Sequence, residues 1–310
     1  LVRVLTVGEL LVEIMRPETN CPLSRPGTFK GPFPSGAPGI FIDAVAKLGV
    51  SAGIIGSVGN DAFGQCIVDR LVLDGVDTRF IARSPTKTTG MAFVTYNDDG
   101  TRDFLFHLKE SAAVDIVKPA AFDFVKETEI LHVSGTSLSL NDDIRRLCYE
   151  LVRSVKSRGG RVTFDPNIRP ELAGDEQLLS WYGPVLSATD ILLPSGDELL
   201  WLSKCGTPEE AAKKLHHQGI SIIVRKMGEQ GCELYLDGAK QLASPGFRVA
   251  CVDPTGAGDC FAAGVVYGVL QSWSWERTLA FANGLGGLST TVLGPMEGTP
   301  ALQIVLDFIQ

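Results

Sequence analysis

This sequence predicts an α/β fold: a mostly parallel sheet with helices on both faces, carrying a small β-sheet lid. Three observations support that expectation. From Ile130 onward, short apolar runs alternate with stretches of helical periodicity, the pattern of a chain that shuttles between strands and covering helices. The first run, residues 2–7, is β-rich and closes on Gly8-Glu9, as a strand buried on both faces does. Residues 10–32 and the β-rich runs 89–96 and 101–108 interrupt the alternation, and together they suit a separate sheet over the edge of the main domain.

After the first strand, residues 10–14 continue extended, and the chain up to Phe33 is rich in Pro, Gly and polar side chains, which places it outside the main core. Ser35-Gly36-Ala37-Pro38 opens a helix. Pro38 suits a first turn, Ile40, Val45 and Leu48 recur near helical spacing, and Gly49 ends the run. Residues 52–58 form the next strand and 64–73 a helix, and Gly75-Val76-Asp77-Thr78 turns into a further strand. Asn97-Asp98-Asp99-Gly100 joins the two runs that follow as a hairpin. Residues 130–133, 161–164, 191–193, 221–224 and 232–236 read as strands, with helices after Asn141, Asp259 and Trp275. The expected division is an α/β domain of residues 1–10, 33–86 and 112–310, and a lid of residues 11–32 and 87–111.

The 310 residues are 45% hydrophobic and 21% charged, an ordinary globular composition that argues against disorder. A formal net charge of −8 argues against a nucleic-acid partner, which asks for concentrated positive charge. Seven cysteines are scattered without a Cys-x-x-Cys pair, which suggests reduced thiols in the cytoplasm. No apolar run reaches membrane-spanning length, and neither a P-loop nor a Gly-x-Ser-x-Gly motif is present.

The most informative stretch is Val252-Asp253-Pro254-Thr255-Gly256-Ala257-Gly258-Asp259-Cys260-Phe261-Ala262-Ala263-Gly264, a small-residue turn running into an apolar helix. Without Cβ atoms, Gly256 and Gly258 let successive N–H groups point into one concavity. A helix starting near Asp259 adds unpaired amides and the positive end of its dipole, so the stretch reads as an anion site. A carboxylate at such a mouth repels an anion, a cost that makes sense if Asp259 acts as a general base.

This stretch resembles the C-terminal signature of the ribokinase-like (pfkB) carbohydrate kinases. The resemblance implies ATP-dependent phosphorylation of a sugar hydroxyl with Mg²⁺. In that scheme Asp259 deprotonates the hydroxyl, the amides at Gly256, Ala257 and Gly258 hold the transferring group, and Thr255 lies on the nucleotide side. The family also carries a β-sheet lid in these two sequence positions, often used to form a homodimer.

Other segments extend the resemblance along the chain. Ser35-Gly36-Ala37-Pro38-Gly39-Ile40 is similar to the family's Gly-Gly-Ala-Pro-Ala-Asn sugar segment, which implicates Gly36 and Ala37, but Ile40 stands where the asparagine should be. Asp43, three residues on, is the expected replacement, and Glu13 stands where many relatives bond sugar hydroxyls. Phe164-Asp165-Pro166-Asn167-Ile168-Arg169 gathers polar groups at a strand end, and Arg169 is expected to face the phosphoryl group or an acidic substrate. Pro194-Ser195-Gly196-Asp197-Glu198 resembles the family's Asn-x-x-Glu, implying that Glu198 holds hydrated Mg²⁺, with Ser195 replacing the asparagine. Lys226-Met227-Gly228-Glu229-Gln230-Gly231 resembles a nucleotide-contacting Lys-x-Gly-x-x-Gly loop, and Asn283 falls at the adenine-side wall.

The segment around Ile40 is similar to that of ketohexose kinases such as tagatose kinases, with 2-keto-3-deoxygluconate kinases next. Leu108, where acid-sugar kinases tend to have arginine, favours the former. A nucleoside kinase of the same fold and a non-catalytic sugar or nucleotide sensor are the alternatives. A nicotinamide dehydrogenase is disfavoured, because Gly8-Glu9 lacks the Gly-x-Gly-x-x-Gly fingerprint.

Overall fold

The computed structural model describes residues 2–98, 101–120, 123–169 and 173–310. In chain order the first elements are β1 (Val4–Val7), β2 (Leu11–Met15), β3 (Lys30–Ser35), α1 (Ala37–Lys47), β4 (Ala52–Gly59) and α2 (Ala62–Leu73). Next come β5 (Ile81–Ser84), β6 (Gly90–Tyr96), β7 (Arg102–His107), β8 (Ile130–Ser134), α3 (Gly135–Leu138), α4 (Asp142–Lys156) and β9 (Arg161–Asp165). They are followed by α5 (Asp175–Leu186), β10 (Ile191–Leu192), α6 (Glu198–Ser203), α7 (Pro208–His217), β11 (Ile222–Lys226), β12 (Cys232–Leu236) and β13 (Ala239–Ser244). Three helices end the chain: α8 (Ala257–Leu270), α9 (Trp275–Ser289) and α10 (Leu302–Phe308).

Nine strands form the main sheet in the order β13-β12-β11-β10-β9-β8-β1-β4-β5, parallel from β11 to β5 and antiparallel at β12 and β13. Successive side chains of a strand point to opposite faces, and here both faces are covered. Val4, Ile54 and Ile130 join a core with Phe41, Val265 and Phe281 of α1, α8 and α9, while Leu5, Ile55 and Leu131 join a second core with Leu147 and Leu151 of α4. That two-sided burial is why the strands read as continuous apolar runs.

A second, four-stranded sheet has the order β3-β2-β6-β7, with β2 and β6 parallel and the outer pairs antiparallel. β3 was missed as a definite strand within a stretch expected to be sheet or loop, because Gly31, Pro32 and Pro34 break its pattern. As an edge strand it tolerates prolines, whose missing N–H groups cost a ladder bond only inside a sheet. It also carries the small sheet past residue 32, the expected boundary, to Ser35. The polar edge strand β13 was missed likewise. Of the expected hairpin turn, Asp99 and Gly100 lie outside the described residues. Helix α8 starts at Ala257, two residues before the expected Asp259, because Gly256 takes the left-handed conformation (φ 81°) and caps it.

Candidate active site

A cavity of about 300 Å³ opens at the carboxyl ends of β1, β9 and β11, between the main sheet and the small one. One wall is the turn before α8. A Cβ on Gly256 would lie 2.8 Å from Pro295 O and 2.9 Å from Ile40 Cγ2, and its φ is positive, so backbone shape and packing both require glycine there. Among the described residues, no group of the chain accepts from the amides of Gly256, Gly258 and Asp259, while Ala257 N reaches Pro254 O at 3.4 Å. These are the free donors of a helix start, beside which an anion is stabilised.

Asp259 is the third residue of α8, half-buried and lining the cavity. Burial first, and then the charge of Asp165, push its carboxyl up to about 8, against the pull of Lys226 and Arg169. Lys226, at the end of β11, forms a buried ion pair with Asp165 at the end of β9. Its Nζ lies 3.5 Å from where a Cβ on Gly258 would be, which puts a fixed cation beside the free amides. Arg169 also lines the cavity, and its field lowers the pKa of Glu9, Glu13 and Asp259 alike.

Glu198 begins α6 and joins two loops. Its Oε1 accepts from Ile168 N and its Oε2 from Ser195 N, both at 2.7 Å. Burial and the nearby Asp165 raise its pKa. Held this way, the carboxylate can accept from metal-bound water. Among the described residues, no three His, Cys, Asp or Glu side chains converge as a direct ligand set.

Glu13 lines the cavity from β2, its Oε1 accepting from Ser35 Oγ at 2.6 Å while its buried Oε2 has no partner. Ser35, which departs from the family glycine, therefore orients this acid. Burial pushes Glu13 up to about 7 and Glu9 up to about 6, and in the structure both accept from hydroxyl groups. Gly36 and Ala37 lie in the same wall.

Asp43 is a correction. It is fully buried but does not line the cavity; it faces α2, with Oδ1 3.9 Å from Arg70 Nε and Asp74 close by. Burial and Asp74 raise its pKa well above the usual carboxylate range. Three residues turn a helix by about 300°, so Ile40 can face the cavity while residue 43 is about 60° away, against the next helix. Thus Asp43 does not replace the missing asparagine.

Gly228, Gly231 and Asn283 also lie outside the cavity lining. The glycines shape the turn between β11 and β12, where a Cβ on Gly231 would sit 2.1 Å from Ser244 O. Asn283 Nδ2 donates to Ser244 O, Ser244 Oγ and Pro245 O at 3.2, 3.1 and 3.1 Å, bracing the end of β13. Thr255 does line the cavity.

Sequence reasoning missed Glu9, held by Thr136 Oγ1 at 2.6 Å, and, apart from Leu108, a whole strand face. Arg102, Phe104 and Phe106 of β7, with Leu108 just beyond it, line the cavity at every second position. The period-two signal was available once the hairpin was recognised.

Free amides beside a carboxylate, in a cavity at the sheet's carboxyl edge, suit transfer of a phosphoryl group to a small-molecule hydroxyl. Residues 3–302 match the model of the pfkB family of carbohydrate kinases, and the chain belongs to that family. It is similar to a fructokinase of Vibrio alginolyticus, 28% identical over 314 residues that cover 99% of each chain. An E. coli protein bearing the provisional name ribokinase II, solved with ATP and Mg²⁺, superimposes with a TM-score of 0.92 at 40% identity, over 100% of this chain and 99% of that one. A fructokinase from Vibrio cholerae O395, solved with fructose, ADP and calcium, gives a TM-score of 0.85 at 26% identity, covering 100% and 99%.

Proposed function

We propose that this sugar kinase transfers the γ-phosphoryl group of ATP to a hydroxyl of a ketohexose. The observation that carries the reading is the Asp259 carboxylate beside the free amides of Gly256 and Gly258 on the cavity wall. In this scheme Asp259 takes the hydroxyl proton as the oxygen attacks phosphorus, and the amides and Lys226 receive the charge on the phosphoryl oxygens. Glu9, Glu13 and Arg169 orient the sugar, and Thr255, Gly228, Gly231 and Asn283 flank the nucleotide. The small sheet, as a lid, keeps water from competing with the sugar. Glu198 would hold Mg²⁺, which would supply neutralisation of the phosphate charge. The fructose-bound relative and the apolar Leu108 support a neutral ketohexose, while Arg102 supports a second reading, a sugar acid.

A coupled ADP-release screen over ketohexoses, keto-deoxy sugar acids and nucleosides tests the proposal. Fastest turnover on a ketohexose is expected, and a clear preference for a sugar acid would transfer the assignment to the second reading. Replacing Glu198 by Gln should raise the Mg²⁺ needed for half-maximal rate and leave the sugar KM nearly unchanged. If the Mg²⁺ titrations of variant and wild type superimpose, Glu198 serves only to join its two loops.

Among the described residues no helix is long and apolar enough to cross a membrane. The seven cysteines are all free, which supports a reducing, cytoplasmic setting. Exposed Leu105 and Phe29 on the small sheet and the loop before it support a homodimer through that sheet. Sedimentation velocity should show a dimer that Leu105→Arg weakens; a monomer at every concentration would remove the idea.

A further inference from the structure

The adjoining ends of β6 and β7 are fastened to the turn that precedes the free amides. Tyr96, the last residue of β6, donates its hydroxyl to Asp253 Oδ1 at 2.7 Å, and the tyrosine oxygen also lies 3.1 Å from Thr255 Oγ1. Arg102, paired with Tyr96 across the hairpin, donates from Nη1 to Thr255 Oγ1 at 3.2 Å. Asp253 is fully buried and acts as a hub: Oδ1 also accepts from Thr255 N at 3.0 Å, and Oδ2 accepts from Gly294 N at 2.9 Å. Burial and the Asp253 charge raise the phenol's pKa, so it stays protonated and remains a donor.

We infer that Tyr96 is a positioning residue for phosphoryl transfer, its hydroxyl tying the small sheet through Asp253 and Thr255 to the amides that receive the phosphoryl group. The physical basis is continuity. β7 supplies the cavity wall of Phe104 and Phe106, Tyr96 is hydrogen-bonded into that hairpin, and Thr255 is covalently next to Gly256. A sugar that seats β7 over the cavity therefore also sets the position of Thr255 and the amides after it. Tyr96 reaches the reacting atoms only through Asp253 and Thr255, so its loss acts on the chemical step and spares binding. The inference rests on the reading that the amides of Gly256 and Gly258 receive the phosphoryl group.

The test is Tyr96→Phe, which keeps the ring and removes the donor. Loss of a buried hydrogen bond to a carboxylate should lower kcat by about tenfold or more, with the KM for sugar and for ATP nearly unchanged. Because both residues act through one link, Tyr96→Phe combined with Thr255→Val should be no slower than the slower single variant. A raised sugar KM with kcat intact, or losses that multiply in full, would overturn the inference. If Tyr96→Phe folds poorly, Thr255→Val decides: it removes the oxygen that Tyr96 reaches and should lower kcat with the sugar KM nearly unchanged, and a wild-type kcat overturns the inference. An Asp259→Asn variant that stays active defeats the underlying site; a dead Asp259→Asn with a fast Tyr96→Phe defeats the link alone.

Discussion

Replacing Asp259 by Asn is expected to leave the fold intact and to lower kcat by about 10²–10⁴-fold, the usual worth of a positioned general base. The amide has nearly the shape of the carboxylate but cannot take the hydroxyl proton. ATP should bind about as well as before at neutral pH, where the carboxyl is already mostly neutral, and more tightly than to wild type only above about pH 8. The same carboxyl sets the pH dependence. Pushed up to about 8 in the free protein, it is mostly protonated at neutral pH, so kcat/KM for the sugar should rise with pH up to about 8 and then level off. A variant that keeps more than about a tenth of the wild-type kcat would remove Asp259 from the role, given the size of base catalysis.

Replacing Lys226 by Met should have the second-largest effect, through two routes. The side chain keeps most of its length, but Asp165, itself buried, loses its partner, and breaking such a pair costs about 3–5 kcal/mol of stability. Urea unfolding reads that loss, and adding Asp165→Asn, which removes the stranded charge, should recover most of it. The second route is kinetic. Lys226 pulls the Asp259 pKa down, so without it the rising limb of the pH profile should move to higher pH, and turnover at neutral pH should fall further. Unfolding at the same urea concentration as wild type, with an unmoved pH limb, would show that the pair neither holds the site nor tunes its base.

Much of this was legible in the sequence, because strands covered on both faces leave long apolar runs and a turn of small residues before an apolar helix leaves few other readings. Gly256, Gly258, Asp259, Glu13, Gly36, Ala37, Arg169, Glu198, Lys226 and Thr255 all line one cavity. What was hidden depended on three-dimensional neighbours. Asp43 lay close to the right face of α1, yet a rotation of about 60° and the approach of α2 turned it to Arg70. Ser35 stands where the family segment has glycine, and its hydroxyl donates to Glu13, a partner 22 positions away that no local pattern reveals. Asp165 and Lys226 are 61 positions apart and meet only because β9, β10 and β11 are adjacent in the sheet. Tyr96 and Asp253 have no shared motif; they meet because the hairpin folds back over the turn.

This cavity is expected to move a phosphoryl group from ATP to a sugar oxygen with Asp259 as the base. ³¹P NMR of the protein incubated with ATP, Mg²⁺ and fructose tests it most directly. A sugar-phosphate monoester should appear in step with ADP for the wild type and be nearly absent for Asp259→Asn. ADP with inorganic phosphate and no ester across all ketohexoses, or an ester formed equally fast by Asp259→Asn, would contradict it.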